Sequence, residues 1–291
     1  MDRATRTRLE RLLCTSLLAA QSLGGGHGVL HYRLTLSGGR SAFAKVQDQD
    51  QDSSGNEHDA FAAEAHGLSW LGEAGAAPVP AVLASDPACL VTGWIDTGRP
   101  TPAAALTFGR ELARLHATAA ASFGAPWRGV IAGLPLPNDE ADSWPDWYAA
   151  GRLLPYVRIA SDAGTLGPAD TRLIEAAAAR SADLAGPPEP PSRIHGDCWS
   201  GNVLWSGGRG WLIDPAAHGG HRETDLAMLA LFGAPFLDQI LAAYAEAYPL
   251  ADGWRTRVPL HQLHPLLVHV CLFGGSYRDA VVSAARTVLA S

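Results

Sequence analysis

Cysteine is scarce and scattered. The 291-residue chain has four, Cys14, Cys89, Cys198 and Cys271, with no C-x-x-C pair among them. This excludes a thiolate zinc site and a disulfide-stapled secreted domain, and makes the cytoplasm the default compartment. A surplus of positive charge is lacking too: 22 basic against 29 acidic residues give a formal charge of −7, with no basic block. Nucleic acid and anionic membrane are therefore not expected as partners. No apolar run reaches the roughly 18 uninterrupted residues that a membrane span needs. The N-terminus imitates a signal peptide, with arginines ahead of an apolar run. Glu10 and Arg11 interrupt it, however, and Leu9, Leu12, Leu13 and Leu17 recur at helical spacing, so an amphipathic first helix is expected. Internal repeats are absent, and alanine-rich helices are the nearest thing to low complexity.

What is present is an ordinary globular composition, 47% hydrophobic and 18% charged, long enough to bury a core. After the first helix come a glycine cluster and the alternating Val29, Tyr32, Leu34 and Leu36. A Gly38-Gly39 turn follows, and then the returning strand SAFAKV. The polar stretch 47–59 offers nothing to bury and reads as a loop. AFAAEAHGLSWLGEAG reads as a helix with Phe61, Leu68 and Leu71 on one face, closed by Gly72 or Gly75. VPAVLAS and ACLVTGWI read as strands, after which strands give way to helices. A boundary near residue 95 divides an N-terminal lobe, 1–95, from a larger C-terminal lobe, 96–291. Helical patterns cover 102–120, 144–159 and 168–185. A stiff GPPEPPS connector then delivers the block RIHGDCWSGNVLW…GWLIDPAAHGG, and helices close the chain.

That block carries the chemistry. Phosphoryl transfer needs a carboxylate to orient and deprotonate a hydroxyl, oxygen ligands for Mg²⁺, and a cation on the nucleotide phosphates. Asp197 stands five residues before Asn202 in a short loop, and Asp214 ends a hydrophobic strand after a short hairpin, so the three can converge. A carboxylate and an amide oxygen are hard ligands, suited to Mg²⁺ rather than zinc or copper. Lysine is very scarce; Lys45 lies in the strand FAKV, and Glu64, one helix later, can hold it against the phosphates. Gly24, Gly25, Gly26 and Gly28 can bring backbone N–H groups close to them. Singly, Asp197 would be a turn former, Lys45 a solvated strand lysine and the glycines a hairpin. In this order they form a phosphotransferase constellation.

HGDCWSGNVLW and LIDPAAHGGHRETDLAMLALFG resemble the fructosamine kinase (ketosamine-3-kinase) family, within the aminoglycoside-phosphotransferase-like superfamily. The likeness extends through AEAHGLSWL, LARLH and LLVHVCLFGGSYRDAVVSAAR, nearly the whole chain. The resemblance implies an α+β, two-lobed, protein-kinase-like fold with a five-stranded antiparallel N-terminal sheet. It implies ATP and Mg²⁺, and phosphorylation of the 3-hydroxyl of a fructosamine or ribulosamine, a step that reverses glycation. Carried over residue by residue, Asp197 is the base, Asn202 and Asp214 are the Mg²⁺ ligands, and Lys45 with Glu64 is the phosphate clamp. Backbone groups of Thr92, Gly93, Trp94 and Ile95 are expected to bind adenine. Read from its own chemistry, Trp199 presents a flat apolar face beside the acceptor hydroxyl that can pack on a sugar ring, with plain core as the alternative. Asp225 resembles the superfamily's buried structural aspartate. The expected partner is a small-molecule ketosamine or a glycated protein amine, and the chain is expected to be monomeric.

Two departures stand out. His27 occupies a glycine-loop position where many members of the family carry cysteine, so no redox switch is expected there. Gly93 precedes Trp94 where an acidic residue is common, which leaves a nucleotide donor other than ATP open. His195 reads as a hydrogen-bonded loop histidine, and His218 with His221 as a surface-loop pair. His264, His269 and Tyr277 lie where an acceptor pocket is expected. An aminoglycoside, choline-like or sugar-alcohol kinase remains the rival of the same fold, and a non-catalytic nucleotide-binding regulator the rival of another class. The presence of Lys45, Asp197, Asn202 and Asp214 speaks against the latter. The absence of D-F-G and A-P-E disfavours a protein kinase.

Overall fold

A computed structural model describes residues 1–26, 28–48 and 57–291. His27 and most of the polar stretch 47–59 lie outside the described residues. Helix α1 (Arg3–Leu13) begins where the Asp2 carboxylate accepts from the Thr5 N–H at 2.8 Å. Leu17 belongs not to this helix, as its spacing predicts, but to strand β1 (Leu17–Gly26). Cys14, in left-handed conformation, ends the helix before that residue is reached. Strands β2 (Val29–Leu36), β3 (Ser41–Gln47), β4 (Val82–Asp86) and β5 (Cys89–Gly93) complete an antiparallel sheet of order β1-β2-β3-β5-β4. The glycines thus lie within β1, pairing Gly24 with His31, Gly25 with Leu30 and Gly26 with Val29. At Gly25 a Cβ would overlap the Val29 carbonyl oxygen, so no other residue fits that tip.

Strand alternation sorts the sheet into two faces. Ala42, Ala44 and Val46 of β3, with Val91 of β5 and Leu34 of β2, pack with Leu9 of α1. Lys45 points to the opposite face, where Leu90 meets Phe61, Ala65 and Leu68 of helix α2 (Glu57–Glu73).

Beyond Gly93 the chain is mainly helical. Helix α3 (Pro102–Ala117) is capped by the Thr101 hydroxyl, which accepts from Ala104 N–H at 3.1 Å, with proline at its first position. The hairpin of β6 (Gly129–Ile131) and β7 (Leu134–Leu136) was not foreseen, because three-residue strands bearing Pro135 give no usable period. The expected helix over 144–159 is α4 (Trp144–Tyr148), a π turn and α5 (Leu154–Asp162). Helices α6 (Pro168–Ala179) and α7 (Ser181–Leu184) lead to β8 (Ser192–Ile194), the hairpin β9 (Val203–Ser206) and β10 (Arg209–Leu212), and β11 (His218–Gly220) beside β8. Helices α8 (Glu223–Leu231), α9 (Leu237–Ala247), α10 (Trp254–Phe273) and α11 (Arg278–Ala290) close the chain. Phe108, Leu112, Ile240 and Tyr244 form the core beneath the site, and Trp144, Tyr156, Leu263 and Val281 a second core farther down. No helix among the described residues is long and apolar enough to cross a membrane.

Candidate active site

Lys45 is the only lysine in a chain with 21 arginines, and it sits on central β3 between His31 of β2 and Leu90 of β5. Its Nζ lies 2.9 and 2.8 Å from the two Glu64 oxygens on α2, and 2.8 Å from Asp214 Oδ1. Burial alone would depress the ammonium, but the two carboxylates outweigh it and lift its pKa above the ordinary lysine value, so the group stays charged. Burial raises Asp214 as well, but Lys45 more than offsets this and holds the carboxyl below its usual range. Glu64 is the more enclosed carboxylate, and burial pushes it upward. Asp214 keeps 42% of its side-chain surface accessible and stands at φ 53°, a left-handed conformation rare outside glycine. Backbone strain of this kind concentrates at functional sites.

The loop carrying Asp197 hangs from a buried carboxylate. Asp225, at the start of α8 and fully buried, accepts from His195 N–H at 2.7 Å and from Gly196 N–H at 2.9 Å. Its Oδ2 also lies 3.0 Å from His116 Nε2, whose other ring nitrogen meets the Tyr244 hydroxyl at 2.8 Å. Gly196 takes φ 80°, and a Cβ there would overlap the Ala216 carbonyl oxygen, so this position needs glycine. His195 is the hydrogen-bonded loop histidine that was expected. Its Nδ1 accepts from Asp197 N–H at 3.3 Å, which leaves Nε2–H to donate to Ile213 O at 2.8 Å. The imidazole therefore ties the Asp197 loop to the residue before Asp214.

Asn202 completes the convergence, its Nδ2 donating to Asp197 O and to Asp197 Oδ2, both at 2.9 Å. Burial pushes the Asp197 carboxyl up to about 7, against the hydrogen bond from Asn202 and with the charges of Asp214 and Asp225. Asn202 Nδ2 also lies 3.5 Å from the carbonyl oxygen of Asp214, whose carboxylate holds Lys45, so the carboxylate–amide pair adjoins the lysine through Asp214.

Trp199 is 38% exposed and packs edge-on against Phe232, with ring centroids 5.9 Å apart. Phe232 continues to His269 at 4.9 Å, and His269 to Tyr277 at 4.7 Å and Phe273 at 5.5 Å. An aromatic wall thus runs from the Asp197 loop to the end of α10. His269, Phe273 and Tyr277 recur four residues apart and so meet along the chain, whereas Trp199 and Phe232 reach them only through tertiary packing. Of the anticipated acceptor-side residues, His269 and Tyr277 join this wall, whereas His264 is buried against Tyr156.

At the C-terminal end of β5 Thr92 is buried, and Gly93 N–H donates to Ala81 O at 2.9 Å. Trp94 lies under the Arg33 guanidinium at 4.5 Å and donates from Nε1 to Asp96 at 2.8 Å; Ile95 follows it out of the sheet.

His218 and His221 are not surface residues, as their loop-like surroundings suggested; both are buried, His218 on β11 beside β8 and His221 against the Trp144 and His261 rings. His221, Glu223 and His261 offer metal-ligand atoms within 4.8 Å of one another. Arg257, however, takes both Glu223 oxygens, at 2.9 and 2.6 Å. His221 Nδ1 accepts from Glu223 N–H at 3.3 Å, which places the ring proton on Nε2, the atom a metal would need free. The trio is a structural network.

A strand lysine paired to a helix glutamate, an aspartate loop held from below and a strand-end aspartate beneath an antiparallel sheet define the phosphotransferase class with a protein-kinase-like fold. Fold comparison agrees: the aminoglycoside phosphotransferase APH(2")-IIa in complex with gentamicin superposes with a TM-score of 0.65 at 14% identity, over 100% of this chain and 97% of that one. Residues 2–291 match the fructosamine kinase family, and the chain belongs to it. A crystal structure from Thermobifida fusca, provisionally named a fructosamine-3-kinase, is 48% identical with a TM-score of 0.95 over 100% of both chains. A Lactiplantibacillus plantarum protein named "Probable ketoamine kinase" is 32% identical over 285 residues, covering 95% of this chain and 96% of that one.

Proposed function

We propose that the protein transfers the γ-phosphoryl group of ATP to the 3-hydroxyl of a ketosamine, a fructosamine or ribulosamine, and so initiates removal of the sugar from a glycated amine. The observation that carries this reading is the joint placement of Lys45 Nζ between Glu64 and Asp214 with Asp197 paired to Asn202, in a chain of the fructosamine kinase family. In this reading residues 1–95 form the nucleotide-binding lobe and 96–291 the catalytic and acceptor-binding lobe.

The donor chemistry fits Mg²⁺: an accessible Asp214 carboxylate and an Asn202 amide supply hard oxygens, with no thiolate or free imidazole among them. Bound there, the ion neutralises charge on the phosphates during transfer. Lys45, kept cationic by Glu64 and Asp214, grips the nucleotide phosphates. The Gly24, Gly25 and Gly26 tip approaches them with backbone N–H groups, and the backbone of Thr92, Gly93, Trp94 and Ile95 borders the adenine. Asp197 orients the acceptor hydroxyl and takes its proton as the oxygen bonds to γ-phosphorus and the bond to the β-phosphate oxygen breaks, releasing ADP. A carboxyl held near 7 is a better proton acceptor than an ordinary aspartate. Trp199 and the aromatic wall offer flat faces to the apolar side of a sugar and to a cationic amine.

The decisive assay is ADP release with Mg²⁺-ATP over fructoselysine, ribuloselysine, kanamycin, choline and plain sugars. Turnover confined to the ketosamines is the expected result; turnover on kanamycin or choline instead would overturn the substrate class. The single lysine provides a second test. An acyl-phosphate ATP probe should place one acyl group on the chain, at Lys45, and excess ATP should block it. Labelling that ATP does not suppress would count against the clamp.

A further inference from the structure

Glu64 reaches Lys45 from α2, yet much of what fixes α2 belongs to the helical part of the chain. Trp127, just before β6, places its ring 5.4 Å from Trp70 in an edge-on contact and 6.1 Å from His66, both on α2. From the other side Arg193 of β8 lies 4.8 Å over the Trp70 ring, and its Nη1 donates to the Trp70 carbonyl at 2.6 Å. Gly67, one helical turn from Glu64, sits so close to Pro215 and Ala217 that a Cβ would meet both at 3.2 Å.

The hairpin that presents Trp127 is itself tied down. Tyr156 donates to Pro135 O at 2.8 Å, Arg152 to Asn138 Oδ1 at 2.8 Å and Trp147 to Asp139 O at 2.7 Å. Asn138 in turn donates to the Trp127 carbonyl at 3.3 Å. A continuous set of packed and hydrogen-bonded groups therefore runs from the second core through the hairpin to α2.

We propose that Trp127 and Arg193 are positioning residues that hold α2 where Glu64 meets Lys45, so that the lysine clamp is closed by the fold itself. The inference rests on the proposed role of Lys45 and Glu64, and a double-mutant cycle separates the two. In the full-length protein, Trp127→Ala should lower kcat about tenfold and raise KM for Mg²⁺-ATP, since a misplacement of about 1 Å caused far from the chemistry can cost up to about 100-fold. KM for the ketosamine should hold within about twofold, because none of the aromatic wall's ring contacts among the described residues involves α2. Trp127→Phe, which keeps an aromatic edge, should recover most of the loss. Arg193→Lys keeps the charge but loses the planar stack, and should show the same pattern more weakly. Combined with Glu64→Ala, Trp127→Ala should add less than about twofold, since both act through one contact.

Full additivity in the cycle, wild-type kinetics in both Trp127 variants, or a change confined to melting temperature would overturn the positioning role. Wild-type turnover in Glu64→Ala alone would overturn the lysine–glutamate clamp, and the positioning role with it.

Discussion

Asp197→Asn is expected to lower kcat by about three orders of magnitude, within the range for a lost general base, while the protein stays folded and binds nucleotide. Asparagine is isosteric, and its carbonyl oxygen can still accept from Asn202 Nδ2, which now lies 2.9 Å from Asp197 Oδ2. The loop is held by Asp225 and His195 through backbone groups, so its shape does not depend on the Asp197 carboxyl. What is lost is the acceptor for the hydroxyl proton and the charge that aligns it. Removing one negative charge near Asp214 also relieves repulsion toward ATP, so calorimetric titration with ADP and Mg²⁺ should give an unchanged or tighter Kd. Turnover within about tenfold of wild type would overturn the base assignment, because positioning alone could then account for the rate.

The candidate site was legible in the sequence because its parts are local. The five-residue interval from Asp197 to Asn202, and Asp214 at the end of a hydrophobic strand, are short-range arrangements that survive without knowledge of the packing. The sheet was legible through its alternation, which sorts Lys45 onto the face opposite Ala44 and Val46. Strand β1 was harder: its burial pattern is mostly exposed, so it shows no apolar alternation and its glycines look like a loop. The residues that missed their expected setting did so through long-range packing. His218 and His221 are polar residues in a glycine-flanked segment, and they are buried by distant partners: β8 and Trp147 for His218, Trp144 and His261 for His221. The aromatic wall draws Trp199, Phe232 and His269 from three separate elements, and no spacing rule connects them. The sole lysine shows how composition and site interact: arginine carries the other side-chain cations apart from histidine, yet a compact ammonium that two carboxylates can hold was kept at position 45.

Asp225→Asn should cost about 3–5 kcal/mol of stability, the usual range for breaking a buried charged network, and most of the activity as well. The substitution conserves shape but not hydrogen bonding. Oδ1 accepts from Gly196 N–H, and Oδ2 accepts from His195 N–H while also facing His116 Nε2. Whichever oxygen becomes an NH₂ group, a donor is set against a donor in a site with no access to water. The Asp197 loop hangs from these two N–H groups, so kcat should fall together with a loss of roughly 5–15 °C in Tm. The acid limb of stability should change as well. Burial works to raise the Asp225 carboxyl, but its hydrogen bonds and neighbouring histidines prevail and hold it below its ordinary range. A depressed folded-state pKa contributes stability above the unfolded value of about 4 and loses it as pH falls through the folded one. The wild-type protein should therefore lose this contribution progressively below about pH 4, whereas Asp225→Asn lacks it at every pH. Its deficit relative to wild type should accordingly narrow as the pH drops. Thermal melts of both proteins from neutral pH to the acid limit of solubility would measure this. A constant gap across that range would assign the effect to the mismatched hydrogen bonds rather than to the charge of Asp225, and an Asn variant as stable and active as wild type would remove Asp225 as the support of the loop.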